Sequence, residues 1–125
     1  MKKYLVVGNP VDHSLSPKLH NYWNKKYNIK AIYEKQELKG NDLEKLILKI
    51  REGEISGINV TVPFKKEIIP FLDELTLGAK STQSVNTVLL SDGIIVGHNT
   101  DISGFEKAIK SINYNFIKKK ILILG

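Results

Sequence analysis

The chain contains no cysteine. Disulfides, thiolate metal centres and cysteine nucleophiles are therefore excluded, and a reducing compartment suits the composition. Arginine is nearly as scarce: Arg51 stands alone among 19 basic residues. The formal net charge of +6 invites a polyanion as partner. Specific recognition of bases and phosphates, however, favours the planar guanidinium fork. The lysines are scattered, apart from the run Lys118, Lys119, Lys120, so no nucleic-acid partner is expected. Long apolar runs are missing too. None approaches the roughly 20 residues needed to span a bilayer. The opening "MKKYLVVGNPVDHS" is basic and then apolar, but the apolar part covers only Tyr4 to Val7, against about 7–15 residues in a secretory signal. The expected setting is cytoplasmic, with no membrane contact. The histidines His13, His20 and His98 show no ligand-like spacing, and no metal site is expected.

What is present is a globular composition, 42% hydrophobic and 26% charged over 125 residues. That is one domain's length, sufficient to bury a core without cross-links. "KKYLVVGNP" reads as a buried strand ending at Gly8. Ser16-Pro17 predicts a helix start, with Ser at the N-cap and Pro at the first helical position. The helix is expected to run to about Tyr27 with Leu19, Tyr22, Trp23 and Tyr27 inward, the last two as core. "AIYEKQEL" predicts a second strand. Asn41 or Asp42 then caps a helix in which Leu43, Leu46, Ile47 and Ile50 share one face.

"ISGINVTV" predicts a third strand, and Pro63 starts a short helix over 64–70, broken near Pro70. A second short helix covers about 73–79. "SVNTVLLSDGIIVGHNT" predicts a hairpin turning at Asp92-Gly93. Ile102, Phe105, Ile109 and Ile112 mark one more helix, and "KKKILILG" reads as a closing buried strand. This order predicts an α/β three-layer sandwich, with a mostly parallel mixed sheet and helices on both faces. The closing strand runs into a Gly, as a strand does before the glycine-rich turn of a dinucleotide-binding fold. The expected division is therefore a domain over 1–118 and, over 119–125, the start of a further, dinucleotide-binding domain.

Four polar segments are expected at one end of the sheet: "NPVDHSLSP", "NVTVPFKK", "SVNT" and "GHNTD". Ligands of open α/β sheets bind at the carboxyl ends of strands. Together the segments offer Ser14, Ser16, Thr61, Lys65, Asn86, Thr87, Asn99 and Asp101. Hydroxyls and amides with one charge of each sign suit a small polyhydroxylated acid. Local roles compete with this. Ser16 has the position of a helix cap, whereas Ser14 has no such duty. Asn9 and Asn86 have the character of turn formers. Asp101, or Thr100, is equally well placed to cap the following helix. Lys65 lies in the first turn of a helix, where the dipole disfavours an ammonium. A lysine there can exchange protons if a carboxylate orients it. Lys66, about 100° around the same helix, is barely distinguished from it by periodicity.

The segments "SLSPKLHN", "GINVTVPFKK", "SVNTV" and "GHNTDISGF" resemble, in order and spacing, the signature loops of the shikimate dehydrogenases. The resemblance covers the whole chain and implies the N-terminal, substrate-binding domain of such an enzyme. It implies NADPH-dependent reduction of 3-dehydroshikimate to shikimate in aromatic amino-acid biosynthesis. Lys65 corresponds to the catalytic lysine and Asp101 to its partner. Ser14 and Ser16 correspond to the carboxylate-binding hydroxyls, and Thr61, Asn86 and Asp101 to the groups that hold the ring hydroxyls. NADP is implied to be bound by the second domain, with Gly125 the one candidate contact in this chain. A small-molecule substrate and a homodimer are the expected partners. Two positions depart from the family's pattern: Ile102 follows "NTD" where Gly is common, and "STQS" precedes "VNT" in place of a small Ala-Gly pair. Quinate-using relatives share the motifs, and a non-catalytic shikimate or quinate sensor stands as the rival from another class.

Overall fold

The computed structural model describes residues 1–124. Gly125 lies outside the described residues. A six-stranded mixed sheet organises the chain, in the order β2-β1-β3-β5-β6-β4. The strands are β1 Lys2–Gly8, β2 Ala31–Glu37, β3 Gly57–Val60, β4 Glu74–Leu75, β5 Thr87–Ser91 and β6 Ile94–His98. The helices are α1 Ser16–Lys26, α2 Leu43–Arg51, α3 Phe64–Glu67, α4 Leu77–Thr82 and α5 Asp101–Ser111. β1 pairs in parallel with β2 and β3, and β4 pairs in parallel with β6, while β5 runs antiparallel to both β3 and β6. The α/β architecture with a mostly parallel sheet and helices on both faces is the one expected. Among the described residues no helix is long and apolar enough to cross a membrane.

Side chains alternate across a strand, and β1 shows what that does here. Leu5 and Val7 enter the large core with Leu46, Ile47, Ile50, Val60, Phe64 and Ile95. Val6 and the half-buried Tyr4 enter a smaller cluster with Val11 and Tyr33 on the other face. The spacing read in α2 is borne out: Leu43, Leu46, Ile47 and Ile50 are all buried. Each such side chain contributes roughly 1.5–3 kcal/mol relative to exposure. The β5–β6 hairpin turns at Asp92 and Gly93, with φ of 50° and 80°. Ser91 pairs with Ile94 across it, and that two-residue loop with both φ positive matches the right-handed twist of the strands.

Three expectations are corrected. The first concerns α1, which buries none of its residues. Leu19, Tyr22, Trp23 and Tyr27 are 47%, 59%, 40% and 63% exposed, so Trp23 and Tyr27 are not core. The face turned to the sheet is the polar one. Asn21 exchanges two hydrogen bonds with the backbone of Tyr33, at 2.7 and 2.9 Å, and Asn24 donates to Ala31 O at 3.2 Å. β2 is an edge strand, and an edge strand's free N–H and C=O groups need partners. Asparagine supplies both donor and acceptor, which leucine cannot.

Second, the segment 73–79 is not simply helical. Glu74 and Leu75 extend the sheet beside Val96 and Gly97 before α4 begins. Third, residues 120–124 form no strand, and Ile121 to Leu124 are exposed. An apolar strand forms only where a neighbour completes its ladder, and no described residue pairs with this one.

Candidate functional site

The candidate site gathers at the carboxyl ends of β1, β3 and β6. β5 contributes from its first residue, because it runs antiparallel: "SVNT" precedes its strand and still reaches the same end. Asn86 is pinned there by backbone bonds on both sides. Its N–H donates to His98 O at 3.0 Å, and its carbonyl accepts Val60 N–H at 2.8 Å. The neighbouring Val85 N–H donates to Lys65 O at 2.8 Å, tying the turn of α3 to the same segment. β1 and β3 close in at Gly8. A Cβ there would stand 2.5 Å from the Thr61 methyl and 3.0 Å from Val62 O, so only glycine fits.

On this frame three expected residues converge. Lys65 Nζ donates to Asp101 Oδ2 at 2.7 Å. Asn86 Nδ2 donates to Asp101 Oδ1 at 3.0 Å and to Thr100 Oγ1 at 2.8 Å, while Asn86 Oδ1 accepts Thr100 N–H at 3.0 Å. The lysine side chain is 33% exposed and the aspartate 52%, so both are held yet reachable by a small molecule. Lys66 is exposed. An ammonium has three donors, and Asp101 engages one of Lys65's.

The competition over helix caps resolves in an unexpected way. The first N–H groups of α5, those of Asp101 and Ile102, donate to Asn99 Oδ1 at 2.9 and 3.2 Å. Neither Thr100 nor Asp101 caps the helix with its own side chain, and the Asp101 carboxylate is left for Lys65 and Asn86. At α1 the roles of the serines are exchanged. Ser16 does not cap; its N–H donates to Ser14 Oγ at 3.3 Å, so Ser14 carries the local duty. Thr61 is positioned through its backbone, with N–H to Val7 O at 2.9 Å and C=O from Phe64 N–H at 3.0 Å. Its side chain is half-buried.

Two residues absent from the expected set also belong here. Asn59 lies in the middle of β3 and Tyr33 in the middle of β2. Tyr33 donates its hydroxyl to Asn59 Oδ1 at 2.7 Å, and Asn59 Nδ2 donates to Thr87 Oγ1 at 3.1 Å and Asn86 O at 3.3 Å. Thr87 Oγ1 donates in turn to Asn86 Oδ1 at 3.1 Å. Burial lifts the Tyr33 phenol to about 12, against a smaller downward pull from the Ser16 side chain, so it remains a donor at neutral pH. The available signal was asparagine itself: it is depleted in strands, and "GINV" places one inside a buried strand.

A dinucleotide needs a glycine-rich turn between a strand and a helix. The sequence holds no G-x-G-x-x-G.

Residues 6–88 match the family model described as the shikimate dehydrogenase substrate binding domain. A shikimate dehydrogenase (NADP(+)) of Pelagibacter ubique is 56% identical over 124 residues, which is 99% of this chain and 47% of that protein. One of Pyrococcus furiosus is 44% identical over 99% of this chain and 45% of its own length. Among solved structures, the shikimate 5-dehydrogenase of Thermus thermophilus in complex with shikimate superposes with a TM-score of 0.85. It is 32% identical and covers 93% of this chain and 44% of that one. The Listeria monocytogenes enzyme, in complex with shikimate and NAD, gives 0.86 at 31% identity, over 93% of this chain and 40% of that one. The chain thus spans about half the length of the relatives it matches.

Proposed function

This chain belongs to the shikimate dehydrogenase family through its substrate-binding domain, and on that premise we propose that it holds shikimate and 3-dehydroshikimate for NADPH-dependent interconversion. The observation that carries the proposal is the contact between Lys65 and Asp101, 2.7 Å long, with Asn86 on the second carboxylate oxygen. In the reducing direction the ring ketone oxygen receives a proton from the Lys65 ammonium. Asp101 orients the lysine and compensates its charge. General acid–base help of this kind is typically worth about 100- to 10,000-fold. Asn86, Thr61 and Asp101 take the ring hydroxyls, and Ser14 and Ser16 take the carboxylate. NADPH would supply the hydride in that direction, leaving as NADP⁺, and is held by residues other than those described. The division near residue 118 and a cytoplasmic setting belong to the same proposal.

Calorimetric titration of the chain with shikimate, with quinate as competitor, tests it. Saturable binding of shikimate that Lys65→Ala weakens is the expected result. No binding at millimolar shikimate by a folded chain overturns the proposal.

A further inference from the structure

A buried tyrosine in an edge strand has no place in the chemistry described above, yet it stands at the head of a hydrogen-bonded chain that reaches the reacting pair. Tyr33 is 4% exposed. His20 stacks on its ring at 4.1 Å and 6°, which fixes the ring plane and the direction of the hydroxyl. From that hydroxyl the donors all run one way. Tyr33 donates to Asn59 Oδ1, Asn59 Nδ2 to Thr87 Oγ1, Thr87 to Asn86 Oδ1, Asn86 Nδ2 to Asp101 Oδ1, and Lys65 meets Asp101 at Oδ2. A side-chain amide accepts at one end and donates at the other. An amide whose oxygen is satisfied therefore holds its N–H₂ in one place. The Thr87 hydroxyl is the free rotor of the chain. With Asn59 Nδ2 on its lone pair, its proton is turned to Asn86.

We propose that Tyr33 is a positioning residue for this site, acting through Asn59 and Thr87 to hold the Asn86 amide against Asp101. The proposal rests on the assignment of shikimate binding to these residues. Without the phenol, Asn59 Oδ1 loses its donor inside a half-buried network. The Asn59 amide then rests on its Nδ2 bonds to Thr87 Oγ1 and Asn86 O alone, the direction of the Thr87 proton loses its support, and Asn86 is left to its bonds with Thr100 and Asp101. A side chain that merely filled the small cluster around Val6 and Val11 would not act this way, because phenylalanine fills the same space.

The test combines Tyr33→Phe, Asn59→Ala and the double variant with two readouts. The first is the side-chain amide NMR signals of Asn59 and Asn86 in the unliganded chain. Tyr33→Phe is expected to shift both, and Thr87→Val to shift Asn86 with Tyr33 intact. The second is the shikimate Kd. Tyr33→Phe is expected to weaken binding about 5- to 20-fold, the scale of one lost buried hydrogen bond. In the Asn59→Ala background the same change is expected to add less than about 2-fold, as coupled neighbours require. Equal effects in both backgrounds, or unmoved Asn86 signals in Tyr33→Phe, overturn the proposal. Should the chain not bind shikimate at all, the substrate assignment fails, while the amide signals still decide on Tyr33. If Tyr33→Phe does not fold, Thr87→Val leaving the Asn86 amide unmoved overturns the relay.

Discussion

Asn99 Oδ1 accepts the backbone N–H of Asp101 at 2.9 Å and that of Ile102 at 3.2 Å, so the start of α5 is capped by a neighbour and not by the Asp101 carboxylate. A carboxylate engaged in its own helix cap has less capacity to meet Lys65. Asn99 is 8% exposed, and its Nδ2 donates to Ser84 O at 2.9 Å, so the cap is anchored from both ends of one amide.

Asn99→Ala removes both functions. Loss of a cap costs about 1 kcal/mol, and the orphaned Ser84 carbonyl adds roughly 1–3 kcal/mol. A drop in Tm of about 5–15 °C is expected at this size, measured by circular dichroism. Shikimate binding should weaken as well, because Asp101 is freed to cap its own helix. An unchanged Tm would show that water replaces the amide without loss.

Much of this arrangement was legible in the sequence. The alternation in "KKYLVVG", the i, i+3, i+4, i+7 face of α2 and the Asp92-Gly93 turn each state a local rule that the fold obeys. Asn86 and Asp101 were legible as members of loops that meet at one end of the sheet, and Lys65 only once the resemblance to the family separated it from Lys66. What was hidden depended on which partner a side chain chooses. Leu19, Tyr22 and Trp23 have helical spacing, but periodicity does not say whether apolar or polar residues face the sheet. At an edge strand, Asn21 and Asn24 offered what the backbone lacked. Ser14 and Ser16 exchanged roles because a cap is set by the backbone angle at which the helix begins, one residue earlier than the Ser-Pro pair suggests. Tyr33 and Asn59 were missed because they are interior to strands, where long-range pairing alone brings them together.

Lys65 and Lys66 separate the substrate assignment from general charge. Lys65 meets Asp101, while Lys66 is exposed. Lys65→Ala is expected to weaken shikimate binding about 10-fold or more, the scale of a lost charged hydrogen bond. Lys66→Ala should change it by less than about 2-fold, as is usual for an exposed charge. In an active full-length enzyme carrying these changes, kcat should fall about 100-fold or more for Lys65→Ala and hold for Lys66→Ala. The reverse ranking in isothermal titration would overturn the assignment of Lys65.

Gly8 tests how β1 positions Thr61. An added methyl would stand 2.5 Å from the Thr61 methyl and 3.0 Å from Val62 O. One of these contacts is with backbone, which cannot swing aside. Gly8→Ala is therefore expected to destabilise by about 1–3 kcal/mol, as overpacking does, and to displace Thr61 and the "VPF" turn that leads to Lys65. Urea denaturation gives the first effect. Weaker shikimate binding at a temperature where the variant is fully folded gives the second. Binding unchanged in a folded variant would mean that the Thr61 side chain does not contribute.

Acid should weaken the fold in two separate windows. Burial lowers the pKa of His20 below its usual 6.5, so in the native state the ring prefers to remain neutral against Tyr33. The unfolded chain then binds more protons than the folded one between 6.5 and that lowered value, and stability falls as pH falls through this window. For Asp73, the hydrogen bond from Arg51 is the leading cause of a pKa below the usual 3.8, followed by the Ile95 N–H. Both Asp73 oxygens accept from Arg51 Nη2 at 3.0 Å, and Oδ2 also accepts Ile95 N–H at 2.7 Å. This contribution is present above 3.8 and is lost as pH falls through the lower, folded value. Urea midpoints measured from about pH 7.5 to pH 3 should therefore show an upper decline that His20→Gln flattens and a lower one that Asp73→Asn flattens. If His20→Gln leaves the upper decline intact, another group carries it, and the stacking of His20 on Tyr33 does not depend on a neutral ring.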